Sequence, residues 1–369
     1  MSPHKRKIDR FYLITVSTLV MAGFVIFLSA SLGLLAQDGA SFFSVAIKQT
    51  ISLALGICGF VVFSRLPYVW LRKSALLILI GAIIVNLLLF VPSLTFHYNG
   101  ASRWLSLGLF TFQPSELLKI GFIIYLSAWI YAVRDKIQLF KYGMLPYLVM
   151  VFVLSLLLLS QRDTDTLVII SGTGLVMLFV AGIKYRHFAL AILLLLAMVA
   201  GVILVRPYAL DRIKTYINRG SDTQGSGYQI NQSLIAIGSG QIFGRGFGQS
   251  IQKFGYLPQP TDDSIFAVAA EEFGFVGAFL LIILYVVLAI SIFRIGTRVP
   301  DVFGSLLVIG IGVLIITESF MNISAMLGIM PLSGLPLLFV SHGGTALILT
   351  LSITGMVANV SKYAQLTKY

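Results

Sequence analysis

The stretch Phe273-Gly274-Phe275-Val276-Gly277-Ala278-Phe279-Leu280-Leu281-Ile282-Ile283-Leu284-Tyr285-Val286-Val287-Leu288-Ala289-Ile290-Ser291-Ile292-Phe293 carries no charge, and it lies between Glu271-Glu272 and Arg294. A helix needs roughly 20 largely apolar residues to cross the hydrocarbon core of a bilayer, so this run reads as a span. Working outward from it, runs of the same kind lie at 11–36, 43–63, 74–92, 114–133, 144–160, 167–182, 188–206, 263–293, 301–320 and 343–360. The composition agrees: 58% of the 369 residues are hydrophobic and 11% charged, too little polar surface to coat a soluble globule. The predicted fold is an all-α, polytopic integral membrane protein of about ten transmembrane helices. It forms one membrane domain over 1–369, with a long extracytoplasmic loop at about 207–262 between helices 7 and 8.

Orientation follows from the basic residues, which short cytoplasmic loops carry in excess. With the N-terminus inside, sixteen of the 26 Lys and Arg fall on inner segments, and only Lys48, Arg103 and Arg162 fall on short outer ones. Both termini are therefore expected in the cytoplasm. The run after Lys5-Arg6-Lys7 is too long for a cleaved signal peptide, whose apolar region is roughly 7–15 residues. The net charge of +12 is spread over successive loops and forms no continuous stripe with interleaved aromatics, which argues against nucleic acid and towards anionic lipid headgroups. Cys58 is the single cysteine, so no intrachain disulfide can form.

Three segments depart from plain hydrophobicity, 93–119, 207–263 and 321–345, and all fall on the outer side of this topology. In the first, Pro114 suits a helix start, where its missing N–H costs nothing. Glu116 and Lys119 then share a face of the following helix. Such charges usually face a bundle interior or a wet cavity; they read either as an ion pair pinning two helices or as a cation placed for an anionic headgroup. Arg103-Trp104 alone would be an interfacial anchor. In the second segment, Gly238, Gly240, Gly244, Gly246 and Gly248 lack both the GxGxxG spacing and a following GK[ST], so no nucleotide site is predicted. A flexible, re-entrant or surface-lying loop is expected there.

This segment ends in Pro258-Gln259-Pro260-Thr261-Asp262-Asp263-Ser264. Either aspartate could cap the next helix or serve as a general base, its basicity raised by apolar surroundings and lowered by Lys119. A straight eighth span of about 31 residues would be roughly 46 Å long, so Glu271 and Glu272 could stand clear of the hydrocarbon. The third segment, Met330 to Thr345, mixes Pro and Gly with apolar residues as a broken or re-entrant helix does. Glu318 and Asn322, just before it, could line the same cavity.

These motifs resemble the SEDS proteins, the family of FtsW, RodA and SpoVE, over nearly the whole chain. The resemblance rests on Asn99 to Trp104 with Gln113 to Lys119, on Gly225 to Gln229 with Gln232 to Gly240, on Asp263 to Ala267 with Glu271-Glu272, and on Pro331 to Gly344. It implies a ten-helix fold in the bacterial cytoplasmic membrane, with polymerisation of lipid II into glycan strands and a class B penicillin-binding protein as partner. Asp263 aligns with the family's essential aspartate, and Glu116 and Lys119 with its intramembrane pair. The implied substrate-binding set is Glu116, Lys119, Arg103, Gln113, Ser341, Gly343 and Gly344. Departures occur at Gln161 to Thr166, around Asp222-Thr223-Gln224, at the additional Asp262, and at His342, where the family prefers Tyr.

The implied mechanism is an inverting glycosyl transfer with Asp263 as base and Lys119 and Arg103 as cations for the diphosphate. A divalent cation such as Mg or Mn suits a diphosphate, but no ligand spacing identifies a metal site, and His4, His97, His187 and His342 are dispersed. A flippase for the lipid-linked precursor and a non-catalytic scaffold remain as alternatives. Division and elongation roles share these motifs; Asn99 to Ser102 leans towards FtsW.

Overall fold

The computed structural model describes residues 7–36, 39–98, 101–106, 111–205, 207–217 and 225–364. In chain order its helices are α1 (Arg10–Ser31), α2 (Gly39–Arg65), α3 (Tyr68–Lys73), α4 (Ala75–Leu87), α5 (Pro114–Ala132), α6 (Met144–Ser160), α7 (Thr164–Val180), α8 (Tyr185–Val205), α9 (Pro207–Ile217), α10 (Ser226–Ser239), α11 (Ile265–Arg298), α12 (Val302–Met326) and α13 (Gly344–Ser361). Among the described residues seven helices are long and apolar enough to cross a membrane (α1, α2, α5, α8, α11, α12 and α13), and α4, α6 and α7 are shorter apolar helices. These ten are the ten predicted runs, and the protein is a helical, polytopic membrane protein.

Local chemistry sets several boundaries. Asp9, Asp163 and Asp301 cap α1, α7 and α12 by accepting from the backbone N–H three residues on, and α5 begins at Pro114 as expected. Helices α12 and α13 are mostly buried, whereas α2 and α8 show most of their surface to the surroundings. Gly56 and Gly59 of α2 lie directly against Leu351 and Ser352 of α13, the close approach that small residues allow between helices in lipid.

Three features differ from the sequence reading. Between α4 and α5 the chain forms a small antiparallel sheet of β1 (Thr95–Tyr98), β2 (Ala101–Ser106) and β3 (Thr111–Phe112), with Thr95 opposite Leu105 and Leu105 opposite Phe112. Second, α11 is not one straight rod. Gly274 has φ 67 and ψ −168, which splits it, and the 275–298 part, at about 36 Å, is by itself long enough to cross a core of roughly 30 Å.

The third feature explains the second. The 207–262 connection is folded rather than loose: it contains α9 and α10, and its next turn fills the break in α11. Phe275 N–H donates to Gln241 O at 2.8 Å and Val276 N–H to Ile242 O at 3.1 Å, while Arg245 and Gly246 N–H donate to Glu271 O and Glu272 O at 3.0 and 2.9 Å. The groups freed by the break are thus paired. Glu271 and Glu272 do not stand clear as a straight helix would require; both are buried. Glu271 accepts from Ile251 N–H at 3.0 Å and Ser250 Oγ at 2.5 Å, and Glu272 holds the fully buried Lys253 Nζ at 2.6 Å. Lys253 also donates to Ser29 O of α1 at 3.0 Å.

Candidate functional site

At one end of the bundle the chain brings together β2, the starts of α5 and α7, helix α9, the turn before α11, the end of α12 and the 331–343 stretch. The α11 turn is the centre. Neither aspartate caps the helix, because Ser264 occupies the N-cap position without a side-chain cap bond. Asn322 of α12, itself buried, donates through Nδ2 to Asp263 O at 2.8 Å and to Leu335 O at 2.7 Å. Ser341 Oγ donates to Asp262 O at 2.6 Å and accepts from Leu337 N–H at 2.9 Å, and His342 N–H donates to Thr261 O at 2.8 Å. The broken stretch after α12 therefore clamps the aspartate turn by its backbone.

The Asp263 side chain meets an acidic and basic neighbourhood. Arg212 of α9 donates through one guanidinium nitrogen to both oxygens of Asp165, at 2.9 and 3.2 Å. Gly334 stands at φ 61, and a Cβ built on it would lie 3.7 Å from Asp263 Oδ2 and 3.9 Å from an Arg212 nitrogen. The glycine thus borders the space between carboxylate and cation. Burial pushes the Asp263 carboxyl up to about 7, with the negative charges of Asp262 and Asp165 adding to the rise and Arg212 and Arg103 opposing it. The opposing cations are these two arginines, where the sequence reading had Lys119.

Arg103 of β2 lies 4.0 Å from Asp163 Oδ1 and donates to Arg162 O. The altered 161–166 stretch makes the turn into α7, with Arg162 in the left-handed region at φ 58, Asp163 as cap and Asp165 as the partner of Arg212. The other altered stretch, 222–224, lies outside the described residues, as do Asn99 and Gly100.

Lys119 and Glu116 do share a face, and α12 adds a third member. Lys119 Nζ donates to Glu116 Oε1 at 2.8 Å and to Glu318 Oε2 at 2.7 Å, and Lys119 is 1% exposed. A charge so enclosed joins α5 to α12. Gln113 lies at the α5 N-cap and donates to Ser115 Oγ at 3.1 Å. Gly343 and Gly344 form the start of α13, behind the aspartate turn, with Ser52 of α2 against Gly344. The side chains of His342 and Asp262 face each other, Nδ1 to Oδ1 3.3 Å. Sequence reasoning did not single out Arg212 or Asp165; both lie in stretches read as loop charge, and their pairing spans 47 positions.

A cavity of about 250 Å³ leads away from this cluster between α7, α8, α9, α12 and residues 331–333. Its walls are apolar, with Leu167, Val168, Met198, Val202, Met321 and Leu332, and Asp165 and Arg212 stand in its lining. A larger hollow of about 770 Å³ lies beside Gln138 and the 182–186 turn, at the opposite ends of α7 and α8, and shares no residue with the cluster. Among the described residues no three His, Cys, Asp or Glu side chains converge to hold a metal ion.

Residues 9–366 match the FtsW/RodA/SpoVE family model, described as cell cycle protein. Stage V sporulation protein E of Bacillus subtilis (strain 168) is 34% identical over 365 residues, covering 99% of this chain and 100% of that protein. A probable peptidoglycan glycosyltransferase FtsW of Trichlorobacter lovleyi is 35% identical, covering 97% and 95%. Among solved structures, a chain from a study of polymerization and crosslinking by a peptidoglycan synthase complex aligns with a TM-score of 0.80 at 25% identity, covering 97% and 99%. The rod shape determining protein RodA of Thermus thermophilus aligns with a TM-score of 0.67 at 25% identity, covering 97% and 98%. The chain belongs to the FtsW/RodA/SpoVE family.

Proposed function

We propose that this protein is a peptidoglycan glycosyltransferase that polymerises lipid II at the outer face of the bacterial cytoplasmic membrane, with both termini in the cytoplasm. The observation that carries the reading is a carboxyl held near neutrality, Asp263, beside the Arg212–Asp165 pair at the polar part of an apolar cavity. The relatives named above support the same reaction class over nearly the full length of both chains.

In this reading a hydroxyl of one lipid-linked disaccharide attacks the anomeric carbon of another. Its oxygen forms the new glycosidic bond while the bond from that carbon to the diphosphate breaks, and the configuration inverts. Asp263 accepts the hydroxyl proton, a role typically worth about 10²–10⁴-fold in rate. The departing lipid diphosphate carries away the bond's electron pair, and Arg212 and Arg103 meet its charge. The apolar cavity beside them suits the lipid chain. Lys119, enclosed by two glutamates, holds α5 and α12 in register behind this site. Among the described residues no donor set makes a resident metal site. A class B penicillin-binding protein that crosslinks the product is the partner this reading calls for, in division or elongation.

Purified protein incubated with lipid II tests the reading. Wild type should make glycan strands resolvable by gel electrophoresis, and Asp263→Ala should make none above background while eluting as a folded protein. Equal glycan from both would remove Asp263 as the base, and none from either would point to transport or scaffolding.

A further inference from the structure

Asp165 stands within the cluster and has no step in the mechanism above. It lies in the 161–166 stretch, where this chain departs from its family, and in the first turn of α7, two residues after the cap Asp163. A carboxylate there is ordinarily explained by the helix dipole, which asks for no particular partner. Asp165 nevertheless reaches across to α9, where both of its oxygens accept from Arg212 Nη1, at 2.9 and 3.2 Å. The other terminal nitrogen, Nη2, borders the gap at Gly334: it lies 3.9 Å from a Cβ built there, and Asp263 Oδ2 lies 3.7 Å from the same point. The two ends of one guanidinium thus face two different carboxylates. The same turn of α7 also holds Arg103, which donates to Arg162 O and lies 4.0 Å from Asp163 Oδ1. Both cations assigned to the diphosphate are anchored on one helix start.

We propose that Asp165 is a positioning residue that acts through Arg212: by holding Nη1 it turns Nη2 towards the gap where the diphosphate leaves, and it keeps the guanidinium from closing on the Asp263 carboxylate across that gap. This rests on the reading of Asp263 as the base and Arg212 as a cation for the leaving group.

An arginine side chain has many rotamers to lose when it binds an anion. Asp165, carried on a helix and 13% exposed, removes that cost in advance. Released from Asp165, the arginine would have Asp263 as a carboxylate partner across the gap, and a bidentate pair there would occupy the oxygens that must take the hydroxyl proton. Cation and base would be lost together. Asp165 also brings a negative charge near the diphosphate, so orientation must outweigh that repulsion. The sign of the Asp165→Ala effect therefore decides between an orienting carboxylate and a counter-ion that the diphosphate displaces.

Two measurements on the purified full-length protein test this, with thermal melting confirming that each variant is folded. Tyr216 Oη, which donates to Ile329 O at 2.6 Å, keeps α9 attached when Asp165 is replaced. The first measurement is binding of farnesyl diphosphate, a short polyprenyl diphosphate standing in for the leaving group. Asp165→Ala should weaken it about tenfold, and Asp165→Glu, which returns the carboxylate on a longer arm, should recover part of the loss. Equal or tighter binding by Asp165→Ala would overturn the proposal. The second is the initial rate of polymerisation over a range of lipid II concentrations. Asp165→Ala should raise KM and also lower kcat by about ten- to a hundredfold, because cation and base are misplaced together; an unchanged kcat would overturn it. Arg212→Ala and the Arg212→Ala, Asp165→Ala double variant should match in both measurements, and a further loss in the double variant would show Asp165 acting apart from Arg212, against the proposal. An active Asp263→Ala would instead remove the base reading, and farnesyl diphosphate binding would still decide whether Asp165 orients Arg212.

Discussion

Lys119 and Arg212 stand at the same end of the bundle, each against carboxylates, and the contrast between them separates structure from chemistry. Lys119 is 1% exposed, with Glu116 and Glu318 at 2.8 and 2.7 Å. Arg212 keeps 30% of its side chain exposed, pairs with Asp165, and borders both an apolar cavity and the space beside Gly334. Two glutamates on one lysine offset the charge of the desolvated ammonium in a buried contact between α5 and α12. The arginine presents a planar guanidinium, suited to a diphosphate, at the edge of that cavity. A charge in a membrane protein can thus serve a site where an opening adjoins it; enclosed between helices, it acts as a bolt.

The largest expected effect lies on the open side. Asp263→Ala should reduce polymerisation by about 10²–10⁴-fold with little change in melting temperature, measured on the same preparation. On the closed side, Lys119→Met strands two glutamates in the bundle and should destabilise the fold by about 3–5 kcal/mol, read from denaturant or thermal unfolding in detergent. If Lys119→Met were instead stable and merely slow, the triad would belong to the site and the contrast would fail.

Gly334→Val comes next. Its positive φ costs a branched side chain about 1–2 kcal/mol, and the side chain enters the space between Asp263 and Arg212. Polymerisation should fall roughly tenfold, by this crowding estimate, whereas Gly343→Ala, behind the turn, should fall less. The last effect concerns stability. Asp263 has a folded value raised to about 7 from the ordinary carboxylate value of 3.8, so the folded state holds a proton there that the unfolded state has released. Stability from this group is therefore lost as pH rises between those two values. Asp263→Asn should melt higher than wild type at pH 8, and the difference should close at pH 4.

Much of the fold could be read from residues alone, because ten apolar runs must each find lipid or one another. The α5 start at Pro114 and the grouping of Asp263 with 331–344 were legible for the same reason: Pro, Gly and charge are costly in hydrocarbon unless they serve a boundary or a cavity. The sheet at 95–112 left a signal that the hydropathy reading passed over, since Asn99-Gly100 between short apolar and aromatic stretches is a hairpin dipeptide. Gly274 left none, because a glycine inside an apolar run is common in spans; only the neighbouring turn at 241–246 makes its break affordable. The pairings of Lys119 with Glu318, across 199 positions, and of Lys253 with Ser29, across 224, depend on which helices meet. No local pattern encodes that.

The central claim is that Asp263, set near neutrality by burial and by its charged neighbours, is the base for glycosyl transfer to lipid II. The most direct measurement is the pH dependence of kcat/KM for polymerisation by the wild-type protein. We predict an acid limb with a midpoint near 7, close to the Asp263 value of about 7, and no such limb in whatever residual rate Asp263→Ala retains. A rate that stays flat from pH 5 to 8, or the same limb in Asp263→Ala, would contradict it.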